Sequence, residues 1–128
     1  MEQEDKELLL RDLCARLPYG VKVKTNNINI LKLGTHTRVG EYVTDVTEPC
    51  KPYLFPLSSM TEEQKKESPF ESSLLNAFIN GYISLFEDEE LAIGDVVRML
   101  EWLNKNHFDY RGLIERGLAI DCTNLNIY

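Results

Sequence analysis

The chain has 128 residues, of which 43% are hydrophobic and 27% charged, a balance that suits one globular domain burying roughly 65–70% of its unfolded surface. Such a composition excludes collagenous, low-complexity and wholly disordered classes. With 14 basic and 21 acidic side chains the net charge is −7, which disfavours general affinity for nucleic acid or an anionic membrane and leaves room only for a local basic patch.

The acidic start, Met1 to Glu7, lacks the basic opening and apolar centre of a secretory signal and the Arg-rich character of a transit peptide. From Glu4 to Leu17, apolar residues at 9, 10, 13, 14 and 17 mark one face of an α-helix, and Pro18-Tyr19-Gly20 ends it. Val21 to Lys24 then alternates apolar and basic, as a strand with one wet face does. Asn26-Asn27 offers a turn, Ile28 to Leu33 a partner strand, and Glu41 to Val46 a third. Sequential strands usually pair, so an antiparallel three-stranded meander is expected.

Pro49, Pro52 and Pro56 punctuate an extended crossing segment from Glu48 to Leu57. Thr61-Glu62-Glu63-Gln64 has the form of a capping box, and Ser68-Pro69-Phe70-Glu71 repeats it. The spacing predicts a helix from about Pro69 to Leu85, weakened slightly by Gly81, and another opened by Asp88 with Ile93, Val96, Val97, Leu100 and Leu103 in one stripe reaching toward His107. Asp109 to Arg116 reads as a short last helix stopped by Gly117, and Leu118 to Tyr128 as an edge strand. The expected fold is α+β, a single domain over residues 1–128: an N-terminal helix, the small meander, then two or three helices packed on one sheet face.

Several clusters invite a chemical reading. His107, Asp109 and Arg111 fall within five residues, so His107 is a candidate general base oriented by Asp109, with Arg111 stabilising developing negative charge in a small hydrolase. The competing structural reading makes His107 a helix end and Asp109 a cap. Lys22, Lys24 and Lys32, near Tyr19 and Tyr42, are candidates for a basic, aromatic sheet face that binds single-stranded nucleic acid; alternating lysines also keep a sheet face soluble. Glu87 to Glu90 lacks the ligand spacing of a calcium loop and reads as a solvated helix start. Trp102 is either a partner anchor or a flanking core residue.

Cys14, Cys50 and Cys122, with His36 and His107, never approach one another along the chain, so neither a disulfide framework nor a metal site is expected. Phosphate-binding loops, dinucleotide turns and nucleophile elbows are absent from the sequence, and no cofactor is expected. No apolar run approaches the ~20 residues that span a bilayer. A cytoplasmic setting follows as an expectation, with no membrane partner. Charge is uneven: residues 18–57 carry five basic and three acidic side chains, residues 58–91 two basic and eight acidic. An acidic helical half beside a strand-rich half with open edges suggests a non-enzymatic protein that binds another protein, homo-oligomers included.

The segments Lys6–Val23 (KELLLRDLCARLPYGVKV), Lys51–Glu67 (KPYLFPLSSMTEEQKKE) and Trp102–Tyr128 (WLNKNHFDYRGLIERGLAIDCTNLNIY) resemble uncharacterised small proteins of gut anaerobic bacteria, often carried in phage-derived or mobile DNA. The resemblance implies an accessory protein of a mobile element and carries no activity or site residue with it.

Overall fold

A computed structural model describes residues 2–25, 28–34, 50–85 and 91–128. Helix α1, Gln3–Arg16, opens the chain and passes through a 3-10 turn, Leu17–Tyr19, which Gly20 closes at φ 68°. Its buried residues are Leu9, Asp12, Leu13 and Arg16, while Cys14 is exposed. The inward stripe is therefore rotated from the purely apolar one that the sequence suggests, and it carries two opposite charges into the interior.

Strands β1, Lys22–Lys24, and β2, Leu31–Lys32, pair antiparallel, with Lys22 opposite Lys32 and Val23 opposite Leu31. The expected third strand, 41–46, lies outside the described residues, as do Asp88, Tyr42 and the acidic run 87–90. The next neighbour of β1 is instead β3, Lys51–Pro56, again antiparallel, with Val23 opposite Pro52 and Lys24 opposite Lys51. The segment expected to cross the core as an extended chain is thus the central strand. β4, Phe108–Asp109, and β5, Ile120–Asp121, both run parallel to it, so the sheet is mixed, not an antiparallel meander.

The prolines fit this position for a physical reason. The Phe55 amide donates to the His107 carbonyl at 2.8 Å, and the Leu54 carbonyl accepts from the Cys122 amide at 3.0 Å. Successive residues therefore serve opposite edges. Pro52 and Pro56 share Leu54's edge, where β5 pairs with Tyr53 and Leu54 alone, so their missing amide protons break no rung of the ladder.

Helix α2, Glu62–Glu67, opens on the expected capping box: the Gln64 amide donates to Thr61 Oγ1, and the Thr61 amide to Gln64 Oε1. Helix α3, Ser72–Ile79, is far shorter than the 69–85 span. Gly81, at φ 81°, lets its amide reach the Phe78 carbonyl and the Tyr82 amide reach that of Ala77, the paired bonds of a Schellman stop. Helix α4, Ile93–Lys105, is followed by Asn106 and by His107 at φ 63°, a left-handed position usually given to glycine. Beyond Asp109 the chain makes a single turn closed by Gly117 rather than a helix.

Two apolar clusters hold the layers. Leu54 packs with Leu9 and Leu13 of α1 and with Val21, Val23, Leu33 and Leu113. Its neighbour Phe55 packs with Leu75 and Phe78 of α3, Met99 and Leu103 of α4, and Phe108. Alternation along β3 puts these clusters on opposite faces. Helices therefore cover both sides of the sheet: α1 on one side, α3 and α4 on the other.

Candidate functional site

The corner formed by the end of α4, β4 and α1 contains all three residues singled out for catalysis. The Asp12 carboxylate accepts from Arg16 Nε at 2.8 Å and from Arg16 Nη2 at 3.2 Å, one helical turn away, and both side chains are fully buried. Arg16 Nη2 also donates to the Phe108 carbonyl at 2.6 Å, tying α1 to β4. Arg111 Nε stands 3.9 Å from Asp12 Oδ1. The Tyr110 ring lies 5.2 Å from the Arg16 guanidinium and 4.9 Å from that of Arg111, and its hydroxyl donates to Asn104 Oδ1 at 2.8 Å. Burial raises the Tyr110 pKa, partly opposed by the two arginines. Arg111 thus serves a buried charge cluster.

Asp109 sits in β4 and is buried. Its Oδ1 accepts from the amides of Arg111 at 3.3 Å and Leu113 at 3.1 Å, and its Oδ2 from the amide of Ile114 at 3.0 Å. Both oxygens are engaged in holding the following turn. That is the capping geometry, displaced from a helix to a strand–turn junction.

His107 faces the other way. Its ring stacks on Tyr128, with centroids 3.6 Å apart and planes 9° apart, and its Nδ1 is buried without a hydrogen-bond partner. Burial, reinforced by the positive charges of Arg16 and Lys22, lowers its pKa to about 4. The Tyr128 hydroxyl accepts from the Lys22 amide at 2.8 Å and donates to the Tyr53 carbonyl at 3.0 Å. It bridges β1 and β3 between the point where β3 leaves β1, at Lys51, and the point where it meets β4, at Phe55. Burial raises the Tyr128 pKa. Lys22 Nζ completes the clasp by donating to the Ile127 carbonyl at 2.8 Å. Among the described residues only two non-glycine residues have positive φ, His107 and Asn126, and they lie in the two segments that meet at this stack.

This arrangement has a titration signature. The unfolded imidazole protonates near 6.5 and the folded one near 4, so between those values the unfolded chain binds more protons. The His107 contribution to stability is complete above pH 6.5 and declines as pH falls toward 4. Denaturant melts taken from pH 7 to pH 4 should show this decline, and His107→Asn, which tolerates positive φ, should flatten it. An unchanged slope in the variant would assign the acid sensitivity elsewhere.

The chemistry available is limited. Deprotonated imidazole is present at neutral pH, but the carboxylate meant to orient it is committed to three amides. Burial pushes the Cys50 and Cys122 thiols up to about 11, which makes them poor nucleophiles. Among the described residues no group of three or more His, Cys, Asp or Glu side chains is placed to hold a metal ion, and no helix is long and apolar enough to cross a membrane. Comparison with known protein families, curated proteins and solved structures finds no match.

Asp12, Arg16 and Tyr128 escape a reading by motif. A signal for the first two exists: Leu9, Asp12, Leu13 and Arg16 repeat at helical spacing, so an acid and a base share the inward face. Tyr128 gives no local signal, because its partners are 75 and 106 residues distant along the chain. Trp102 takes the core role, stacked on Phe108 at 5.7 Å.

Proposed function

We propose that this is a non-enzymatic, cytoplasmic interaction protein that docks another protein through the outer face of α4. The observation that carries the reading is the exposure of Ile93 (83%) and Val97 (46%), one turn apart on a helix whose Met99 and Leu103 are fully buried. Such a helix has one apolar face for its own core and a second for a partner. Residues 87–101 hold six carboxylates, at 87–90, 95 and 101, against Arg98 alone. The partner that fits is a protein groove with an apolar floor and a rim of Lys and Arg. The resemblance to small proteins of mobile DNA supports an accessory role within such an element.

Immobilised protein should retain a partner from host lysate in a salt-sensitive manner. Ile93→Lys should weaken capture at least tenfold while leaving the melting temperature within a degree or two, since the side chain is exposed. Capture that survives both Ile93→Lys and high salt would place the contact elsewhere and overturn the reading.

A further inference from the structure

A second surface is assembled by strand register. Residues directly opposite on paired strands project from the same face, and so do residues two apart on one strand. Lys22 lies opposite Lys32, and Lys24 opposite Lys51. Four lysines from three strands therefore share one face, while Val23, Leu31 and Pro52 occupy the other. Lys24, Lys32 and Lys51 are exposed and Lys22 is half-buried. Among the described residues no ion pair reaches any of the four. Like charges directly opposite one another destabilise a sheet; the Lys22 ammonium is answered by the Ile127 carbonyl and the Tyr128 ring, which leaves the facing Lys24 and Lys51 as a cost that no ion pair among the described residues offsets.

Lys32 also borders a groove. A β-carbon on Gly20 would lie 2.7 Å from Lys32 Cε, so only glycine leaves room for that stem to lie across the turn. Beyond it an open hollow of about 600 Å³ is lined by Leu17, Pro18, Tyr19 and Lys105 among others, with no carboxylate among the described residues.

We propose that the lysine face and this groove together bind single-stranded nucleic acid, with Lys24, Lys51 and Lys32 meeting successive phosphates and the Tyr19 groove receiving an unstacked base. Strands about 4.8 Å apart and lysines about 6.6 Å apart along a strand give a compact, flat array of point charges that suits a flexible phosphodiester chain. A duplex keeps its bases stacked and has nothing to place in the groove. The chain-wide charge of −7 opposes binding elsewhere on the surface and confines it here.

The test is fluorescence anisotropy of labelled oligo-dT and oligo-U with the full chain at low salt, beside a duplex, heparin and poly-glutamate. Three phosphate contacts predict a slope of log affinity on log salt near −2, at about −0.7 per contact on a single strand. The double variant Lys24→Gln/Lys51→Gln should bind at least tenfold more weakly, with the slope falling to about −0.7. Its melting temperature should hold or rise, because the facing Lys24–Lys51 repulsion is removed, which separates lost binding from lost fold. Absence of binding at low salt, binding indifferent to the double variant, preference for duplex, or equal affinity for heparin or poly-glutamate would each overturn the proposal. The α4 docking reading is untouched by any of these outcomes.

Discussion

Asp12→Ala is expected to destabilise the protein by about 3–5 kcal/mol, the usual cost of stranding one member of a buried ion pair. Arg16 is fully buried and its Nε and Nη2 both donate to Asp12. Without the carboxylate its charge keeps only the Phe108 carbonyl and the face of Tyr110. Urea unfolding monitored through Trp102, half-buried against Phe108, measures the loss. The double variant Asp12→Leu/Arg16→Met should recover most of it, because removing both charges ends the desolvation penalty. A loss below about 1 kcal/mol for Asp12→Ala would mean that Arg16 reaches solvent or another counter-charge.

Asp109→Ala is expected to cost about 2–4 kcal/mol, since its carboxylate holds three backbone amides, a hydrogen bond to a charged group is worth about 1.5–3 kcal/mol net, and water admitted by the smaller side chain serves part of the freed turn. Asp109→Asn should recover part of this, as an amide oxygen still accepts from the turn. Amide exchange reports the mechanism: the Leu113 and Ile114 protons should lose protection in Asp109→Ala before those of α1 do. Unchanged protection there would remove the capping role and return Asp109 to consideration as a partner for His107.

These effects show which parts of the molecule a linear reading reaches. The Thr61–Gln64 box and the existence of α1 are set by neighbours within four residues, so they are legible from local chemistry alone. The central place of β3 is not, because Pro52 and Pro56 mark an extended segment without showing what pairs with it, and their tolerance depends on which edge each faces once β4 and β5 arrive. Gly81 reads as a mild weakness in a long helix and is in fact its stop, because only a left-handed residue there allows both closing bonds. The His107–Asp109–Arg111 cluster is visible as a cluster, but its division into a stacked imidazole, a turn cap and a buried-charge neighbour depends on Asp12, Arg16 and Tyr128. Lys51 joins Lys22, Lys24 and Lys32 only through register, which no spacing along the chain reveals.

The central place of β3 has a consequence for how the protein is made. Its neighbours come from residues 22–24, 108–109 and 120–121, so its ladder is closed by segments separated by most of the polypeptide. During translation β3 meets β1 early but waits for Ile120 and Asp121 to leave the ribosome before its other edge is satisfied. Assembly is therefore governed by distant encounters rather than by local helices, and the nascent chain carries an open, apolar-flanked strand from the emergence of β3 until that of β5, a natural client for a holding chaperone.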